Sequence, residues 1–320
     1  MTVLVLAQDF DRTADHVVRE LTVGGVPVLR VDLSWFPQRL SIDAELREGR
    51  WTGRLCTPHR QVALEDIRSI WHRSPAAFDL PVGMSTPERV HAHREGKIGL
   101  GGVLASLPVL WANHPGRSAD AVYKPLQLAV AAGCGLRVPR TLISNSTAAA
   151  HRFADQSATG AVIKMLGAGT IHEDHSRKVS FTHRLTGGDL DDLAGFDVTC
   201  HQMQDWVPKS REARVVVIGE TLFTVGIHAG SAASHVDWRS DHSAVDYERL
   251  EPPGDVTSGI GRLMVRLGLV YGALDFVIGP DGSWTFLEIN PGGQFGWLQL
   301  HTGLPMTATL AGLLAAGATT

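Results

Sequence analysis

Two acidic side chains and an amide stand close together near the C-terminal end of the sequence, in the stretch YGALDFVIGPDGSWTFLEINPGGQFGW. Asp275 and Glu288 flank a Pro-Asp-Gly sequence that is typical of a tight turn between strands. If Asp281 and Gly282 are the central residues of a type I′ turn, Asp275 lies opposite Glu288 with Cβ atoms about 5 Å apart. Asn290 then shares their face, because side chains alternate along a strand.

These three side chains could hold a metal ion. Facing carboxylates destabilise a sheet unless a cation neutralises them, and an all-oxygen donor set suits Mg²⁺, which completes its shell with water and nucleotide phosphates. The pattern therefore predicts a magnesium site beside a phosphate-bearing ligand. Two alternatives stay open. A three-residue Pro-Asp-Gly loop with a bulge would send Glu288 to the opposite face, and a solvent-facing hairpin would carry unrelated charges.

A second group of residues also favours a phosphate ligand. Lys164 lies in the apolar strand sequence VIKML and precedes the small-residue loop GAGT, where Gly167 and Gly169 would let backbone N–H groups approach phosphates. The spacing fits neither a P-loop nor a dinucleotide-binding fingerprint. Lys124, directly before Pro125 at a predicted helix start, is a further candidate phosphate ligand, and an exposed lysine is its ordinary alternative.

Composition limits the class of protein. The chain has 320 residues, of which 44% are hydrophobic and 19% charged, as in a globular protein with two or three modest domains. A net charge of −4 without a basic block argues against nucleic acid as a partner. No apolar run approaches the roughly 20 residues of a membrane span, so we expect no membrane partner.

The start of the chain and its cysteines predict a cytoplasmic protein. MTVLVLAQDF lacks a basic region and has a very short apolar stretch, which favours a first strand over a signal peptide. Cys56, Cys134 and Cys200 are odd in number and widely separated, which favours reduced, buried thiols over disulfides or a zinc site.

Hydrophobic periodicity and turn residues divide the chain into three units of a mixed α/β (α+β) fold. Residues 1–112 predict a small α/β domain that begins as a β-α-β unit and contains a hairpin at Glu48 and Gly49. Residues 113–203 predict a mixed lobe, and residues 204–320 a larger lobe that ends in a packing helix. In the last lobe we expect antiparallel strands near residues 213–218, 222–228, 272–278 and 284–289.

The chain resembles the ATP-grasp superfamily in its lysine-bearing strand and glycine loop, in HQMQDWVPKSREARVVVIGETLF and in LDFVIGPDGSWTFLEINPGG. Within that superfamily, YKPLQL, GLRVPRTLISNS, HVDWRSDH and LEINPGGQFGWLQ are similar to the ribosomal-peptide maturases, the microviridin-ligase-like graspetide synthetases. The resemblance covers nearly the whole chain. It implies an ATP-grasp fold with an N-terminal pre-ATP-grasp domain (1–112), a small central lobe (113–203) and a larger C-terminal lobe (204–320).

The resemblance also implies roles for single residues. The three oxygen donors would hold Mg²⁺, and the lysines and the glycine loop would contact ATP. The sequence QDWV would be the hinge between the lobes and offer backbone groups to adenine, with Lys209 or Glu212 toward the ribose. The implied catalytic residues are Arg214 and Arg239; the implied nucleotide-binding residues are Lys124, Lys164, Gly167, Gly169, Gln204, Asp205, Trp206, Val207, Lys209 and Glu212; the implied metal ligands are Asp275, Glu288 and Asn290.

Phosphoryl transfer depends chiefly on positioning and charge neutralisation, and a rigid guanidinium matches phosphate and carboxylate oxygens. Arg214 and Arg239 therefore suit the phosphoryl group and an acyl phosphate, whereas surface ion pairs are the ordinary role of an arginine. The sequence departs from the family at WHRSP, where a single arginine stands in place of a more basic strand end. That departure puts a role for Arg73 in doubt.

The implied reaction uses ATP to convert an Asp or Glu side chain of a ribosomal precursor peptide into an acyl phosphate, which a Ser or Thr hydroxyl or a Lys amine attacks. The implied partners are the leader and core of that peptide and a second copy of the chain in a homodimer. IHEDHSRKVSFTHRL is a candidate leader surface or an ordinary exposed hairpin. Two other functions stay open: a ligase that joins a free amino acid or amine to a carboxylate, and a nucleotide-gated peptide-binding protein without chemistry.

Overall fold

The structure is a computed structural model that describes residues 1–167, 170–173 and 176–317, with residues 170–173 and 176–179 as backbone only. Its N-terminal part has two sheets. The elements are β1 (Thr2–Ala7), α1 (Arg12–Val23), β2 (Val28–Val31), β3 (Ser41–Arg47), β4 (Arg50–Cys56), β5 (Gln61–Ala63), β6 (Ile67–Ser74), α2 (Thr86–Ala105) and β7 (Leu110–Ala112). Four parallel strands follow the order β2-β1-β6-β7, and β3-β4-β5 form an antiparallel sheet.

Local sequence explains how this part begins. The Asp11 side chain accepts a hydrogen bond from the Ala14 N–H at 3.0 Å and starts α1, whose Val17 and Leu21 are buried. The predicted β-α-β unit is confirmed. The hairpin at Glu48 and Gly49 is confirmed as well, and both residues have positive φ angles, 49° and 79°, as its tight turn requires.

The middle of the chain carries the smaller sheet of the cleft. Its elements are α3 (Pro115–Ala121), α4 (Lys124–Gly133), β8 (Thr141–Ser144), α5 (Thr147–Asp155), β9 (Ala161–Lys164), β10 (Thr170–Glu173), β11 (Ser176–Val179), β12 (His183–Arg184), α6 (Gly187–Asp191) and β13 (His201–Asp205). The sheet order is β12-β9-β13-β8, and β10 pairs only with β11 as a hairpin among the described residues. Strand β13 crosses the boundary that we drew at residues 203 and 204.

The C-terminal part carries the larger sheet. Its elements are β14 (Arg211–Ile218), β15 (Thr221–Ala229), α7 (Ala232–Val236), β16 (Val245–Leu250), α8 (Gly254–Leu267), β17 (Tyr271–Ile278), β18 (Trp284–Asn290), α9 (Gly296–Thr302) and α10 (Met306–Ala316). Five antiparallel strands follow the order β16-β15-β14-β17-β18. The four predicted strands and the terminal packing helix are confirmed, whereas the edge strand β16 was not predicted.

Alternation along β14 shows how the sheet is covered. Val215 and Val217 point into a core with α8 and α4, and Val216 and Ile218 point into a core shared with α1, α10 and the N-terminal sheet. The first half of β14 is buried too, but it carries charged side chains. The charged first half of β14 therefore lies where the core shared with α1, α10 and the N-terminal sheet ends and a cleft begins.

Two further expectations concern the cysteines and the membrane. All three cysteines are free; Cys134 is buried, Cys56 is half-buried and Cys200 is exposed, so the expectation of buried thiols was wrong for Cys200. None of the helices in the described part of the chain has the length and apolar character that crossing a membrane requires.

The turn between β17 and β18 differs from the predicted one. The Gly279 N–H donates to the Ser283 carbonyl at 2.8 Å, and the Gly282 N–H donates to the Gly279 carbonyl at 3.0 Å. These bonds enclose a three-residue Pro-Asp-Gly loop in which Gly282 has a φ of +78°. The two-residue type I′ turn was therefore wrong, and the alternative three-residue loop is present.

A bulge restores the facing pair despite that loop. Phe276 pairs with Phe286, as the three-residue loop dictates, but the register shifts before Phe276 so that Asp275 pairs with Glu288. Leu287 is the extra residue of the bulge. The predicted pairing is thus confirmed, although two irregularities produce it rather than one regular turn.

The loop after β18 sits against the carboxyl end of the N-terminal parallel sheet. Arg73, in β6, lies 3.1 Å from the Asp11 carboxylate and donates to the Gly292 carbonyl at 2.6 Å. The Asn113 side chain, after β7, donates to the Pro291 carbonyl at 2.8 Å and is 1% exposed. These contacts fix the loop that follows the acidic strand, and they give Arg73 a structural role.

Gly293 in this loop has no room for a side chain, and its neighbour Gly292 has. A Cβ at Gly293 would lie 2.5 Å from the Ala273 Cβ and 2.8 Å from Nη2 of Arg214, whereas at Gly292 its nearest neighbour would be 3.7 Å away. We expect Gly293→Ala to lower the free energy of unfolding by about 1–3 kcal/mol through overpacking. Gly292→Ala is the control, with a change within about 0.5 kcal/mol. Thermal or denaturant unfolding measures both, and equal losses would contradict this packing.

Candidate active site

A cleft of about 760 Å³ lies between the smaller sheet and the larger sheet. It brings together nearly all of the residues that the sequence singled out. Those that line it are Lys124, Lys164, Gly167, Gln204, Asp205, Trp206, Val207, Lys209, Glu212, Arg239, Asp275, Glu288 and Asn290. Arg214 does not line the cleft but contacts Asp275 beside it, and Gly169 lies outside the described residues.

The buried end of the cleft contains an arginine–aspartate pair on neighbouring strands. Arg214 faces Asp275 across β14 and β17, and its Nη1 lies 2.8 and 2.7 Å from the two carboxylate oxygens. Burial raises the pKa of Asp275 above its ordinary value; the Arg214 guanidinium opposes this, and the facing Glu288 adds to it. The ion pair thus compensates a carboxylate that solvent does not stabilise.

Glu288 has cations on two sides. Its Oε2 lies 2.9 Å from Nζ of Lys124, and its Oε1 lies 3.9 Å from Nη1 of Arg239. Burial alone would raise the pKa of Glu288, but the two cations outweigh it and hold the pKa below its ordinary value. Lys124 also donates to the Met165 carbonyl at 2.8 Å, so the first residue of α4 links the acidic strand to the end of β9.

Asn290 and Gln127 shape the end of β18. The Asn290 Oδ1 accepts a hydrogen bond from the Gly292 N–H at 2.9 Å, which starts the loop after the strand. The buried Gln127 side chain accepts from the Ile289 N–H at 3.0 Å and donates to the Ile289 carbonyl at 2.8 Å. Gln127 therefore fixes the strand between Glu288 and Asn290, a role that its place in the apolar helix α4 did not indicate.

The chemistry of this donor set fits Mg²⁺. Asp275 and Glu288 face each other on one side of the hairpin, and Asn290 follows on the same strand. Carboxylate and amide oxygens are ligands that Mg²⁺ accepts, together with phosphate and water. Lys124, Arg214 and Arg239 stand against these two acids and against Asp237, so three cations face three carboxylates and the local charge is close to balanced before any ligand binds.

A second buried ion pair lines the cleft. Lys209 Nζ lies 2.6 Å from Glu212 Oε1, and both side chains are nearly inaccessible to solvent. Burial raises the pKa of Glu212, and Lys209 opposes the rise. Lys164 also lines the cleft: burial lowers its pKa, and the carboxylates of Glu288 and Glu212 partly oppose that change. An anionic ligand would stabilise the charged form of Lys164.

The segment between the sheets is held through its backbone. The Trp206 N–H donates to the Gly160 carbonyl at 2.7 Å, and the Trp206 carbonyl accepts from the Thr159 hydroxyl at 2.5 Å. Both backbone groups of Trp206 are therefore engaged, and the Asp205 N–H donates to the Arg140 carbonyl at 3.0 Å, which leaves the Asp205 carbonyl and the backbone of Val207 as candidates for a ligand contact. Lys209 lies over the Trp206 ring, 5.1 Å from its centroid.

Asp237 is a residue that sequence reasoning missed. It stands beside Arg239 in the sequence DWR, and its carboxylate accepts hydrogen bonds from Nε and Nη2 of that arginine at 2.9 and 2.7 Å. It is 4% exposed and lines the cleft. The only signal for it in the sequence was a carboxylate two residues before the predicted catalytic arginine. Because this segment is not a regular strand, the spacing does not show that the two side chains meet.

Comparison with known proteins extends over the whole chain. A family model described as the MvdD pre-ATP-grasp domain matches residues 2–118. Macrocyclase MdnC from Microcystis aeruginosa MRC, solved bound with precursor peptide MdnA, is 30% identical with a TM-score of 0.87, covering 99% of this chain and 100% of MdnC. The comparison with curated proteins finds no match.

Two further solved structures are similar. A RiPP-associated ATP-grasp ligase of Chryseobacterium gregarium, in complex with ADP and a leader and core peptide, is 27% identical with a TM-score of 0.89, covering 98% of this chain and 96% of its own. Macrocyclase MdnB from Microcystis aeruginosa MRC is 27% identical with a TM-score of 0.80, covering 98% of both chains. The α/β fold predicted from the sequence is thus confirmed as an ATP-grasp fold.

The lowered pKa of Lys164 gives a pH-dependent prediction. If phosphates bind beside Lys164, they raise its pKa, so binding takes up a proton wherever the free side chain is neutral. The affinity for ADP should then fall as the pH rises through the lowered pKa of the free Lys164 side chain. Lys164→Met should bind ADP weakly and lose this dependence, and Lys97→Met, on the exposed face of α2, should keep it. Calorimetric titration measures all three, and an unchanged slope in Lys164→Met would contradict the assignment.

Proposed function

Because the chain belongs to the family of ATP-grasp macrocyclases that act on ribosomal peptides, we propose that it is an ATP-dependent ligase that crosslinks side chains of a precursor peptide. The observation that carries the proposal is the cleft in which a facing carboxylate pair, three lysines and an anchored arginine line one cavity. Similarity over the full length of MdnC supports the choice of a peptide as the substrate.

The proposed reaction has two steps. A carboxylate oxygen of an Asp or Glu side chain attacks the γ-phosphorus of ATP, the bond from that phosphorus to the bridging oxygen breaks, and ADP leaves. A Ser or Thr hydroxyl or a Lys amine then attacks the acyl phosphate; the new C–O or C–N bond forms, phosphate leaves and the nucleophile releases its proton. Each crosslink removes the elements of one water from the peptide, as an ω-ester or ω-amide.

The residues of the cleft suit the charges of these steps. Lys124 and Lys164 would neutralise phosphate oxygens, and Arg239 presents Nη1 toward the acidic end of the cleft, where a carboxylate substrate and the γ-phosphate would meet. Arg214 does not line the cleft and would act through its ion pair with Asp275, by holding that carboxylate in place. Fixed cations are effective here because they need no reorganisation as negative charge moves.

Asp275, Glu288 and Asn290 would hold Mg²⁺, which when bound would neutralise charge on the transferring phosphates. Adenine would lie against the segment Gln204 to Val207 with backbone contacts from Asp205 or Val207, and the Lys209–Glu212 pair would contact the ribose. Gly167 would approach the phosphates, and Gly169 belongs to the same proposed loop. The three-unit division at residues 112/113 and 203/204 stays a proposal.

The peptide-docking surface, the oligomeric state and the cellular location are also proposals. The precursor would carry a leader that docks on residues 171–185, whose β10 and β11 form the expected hairpin, and a core that enters the cleft. Membership in the family is the ground for a homodimer. The free cysteines are the ground for a cytoplasmic location.

Mass spectrometry tests the function directly. The protein is expressed with short open reading frames that neighbour its own, and each peptide is weighed with and without ATP. ATP-dependent loss of one water per crosslink is the expected result. An unchanged peptide mass with ATP hydrolysis driven by a free amino acid or amine would replace the proposal by a small-molecule ligase, and nucleotide-dependent peptide binding alone would replace it by a binding protein.

Glu288→Gln should keep the fold and lose turnover. The substitution preserves shape but removes the charge that would hold Mg²⁺, so we expect peptide modification to fall by about 100-fold or more. Stability should change by no more than about 1 kcal/mol, because the pair with Lys124 is partly exposed. Glu220→Gln, at the exposed β14–β15 turn, is the control. Full activity of Glu288→Gln would refute the metal site.

A further inference from the structure

We propose that Asp237 is the positioning residue for Arg239, holding its guanidinium toward the reacting groups and out of hydrogen-bond contact with the carboxylate of Glu288. The inference rests on the proposed function, since it concerns the arginine that would meet the acyl phosphate. Asp237 itself need not touch substrate. Its effect would be exerted through the side chain of Arg239.

The contact between the two side chains is a two-point one. Asp237 Oδ1 accepts from Nε of Arg239 at 2.9 Å, and Oδ2 accepts from Nη2 at 2.7 Å. Oδ1 also accepts from the backbone N–H of Arg239 at 3.1 Å, so the carboxylate fixes the backbone of the residue as well. Two parallel bonds to a planar guanidinium restrict its rotation, which a single contact does not.

Asp237 is itself fixed from the other side of the cleft. Its Oδ2 accepts from the backbone N–H of Thr182 at 3.0 Å, and Thr182 lies in the smaller sheet's segment directly before β12. Burial would raise the pKa of Asp237, but the bonds from Arg239 and Thr182 outweigh it, so the side chain stays a carboxylate throughout the neutral range. One buried anion therefore joins the smaller lobe to the arginine of the larger lobe.

Neighbouring contacts keep the Asp237 segment in place independently of its charge. The Val236 carbonyl accepts from Nζ of Lys209 at 3.1 Å. The Trp238 ring packs against the Trp297 ring with centroids 4.9 Å apart. Because these contacts do not involve the carboxylate, removing its charge should leave the segment folded.

Glu288 competes for the same guanidinium. Its Oε1 stands 3.9 Å from Nη1 of Arg239, close enough to attract it but without a hydrogen bond. Arg239 is 45% exposed and has a long side chain, so without an anchor it is free to move onto Glu288. That movement would withdraw Arg239 from the substrate and would oppose cation binding by Glu288, a proposed metal ligand.

The test is a mutant cycle with Asp237→Asn, Arg239→Ala and the double variant. Asparagine has one acceptor oxygen, so it can keep only one of two backbone bonds: that from Thr182, which Oδ2 accepts, or that from Arg239, which Oδ1 accepts. It also lacks the charge that pairs with the guanidinium. We expect Asp237→Asn to lower kcat for peptide modification by about tenfold to a hundredfold. In the Arg239→Ala background the same change should have no further effect within about twofold, because partners that act as a unit are not additive. Asp237→Glu should recover part of the activity.

A second experiment measures ADP binding by the same variants in the absence of peptide. Calorimetric titration of ADP at increasing Mg²⁺ should show that Asp237→Asn needs more Mg²⁺ for tight binding, about tenfold, and that the double variant returns to the wild-type requirement. Asp246→Asn, at an exposed acid of β16, is the control and should match the wild type in both assays.

The outcomes separate this inference from the proposed function. Wild-type kcat and Mg²⁺ requirement in Asp237→Asn would overturn the inference while crosslinking stands. Equal losses in the wild-type and Arg239→Ala backgrounds would overturn it too, because they would mean that Asp237 acts by stabilising the fold. If no peptide is modified, the proposed function falls, and the Mg²⁺ titration alone decides whether Asp237 restrains Arg239.

Discussion

The facing pair Asp275 and Glu288 is the constraint on which the rest of the cleft depends. Two acids on adjacent strands in a largely buried sheet repel each other and lose hydration, so they must meet cations in the folded protein. Arg214, Lys124 and Arg239 supply them from three different parts of the chain. The fold of the large sheet, the start of α4 and the segment after β15 are therefore all tied to one pair of carboxylates.

The N-terminal domain stabilises the acidic strand indirectly, through the loop that follows it. In open parallel sheets, ligands commonly lie outside the carboxyl ends of the strands, near a reversal of strand order. Here Asn113 and Arg73 at that edge donate to the carbonyls of Pro291 and Gly292 instead, and Asp11 pairs with Arg73. The crevice that could bind a ligand in such a domain thus positions the loop that follows the acidic strand.

Most of the fold could be predicted because strands and helices with a regular hydrophobic period are recognisable in a sequence. Sequence reasoning placed β14, β15, β17 and β18 from their apolar runs, and it placed the facing acids correctly although it chose the wrong turn. The bulge at Leu287 could not be predicted, because no residue type marks it. Gln127 was missed for a related reason: its partner Ile289 lies far away in sequence and reaches it only through tertiary packing. Asp237 was missed because the irregular segment that contains it does not show that its side chain meets Arg239, and its other partner, Thr182, is distant in sequence.

One consequence concerns the outer edge of β18. An edge strand offers unpaired backbone groups on which an extended chain can add itself as a further strand. In this protein the Phe286 N–H already donates to the Arg137 carbonyl at 2.8 Å, and Gln127 engages both backbone groups of Ile289. These backbone groups at the edge of β18 next to the acids are therefore unavailable for β-augmentation. A polypeptide that enters the cleft must approach Glu288 across the face of the sheet, because it cannot pair as a further strand beside β18.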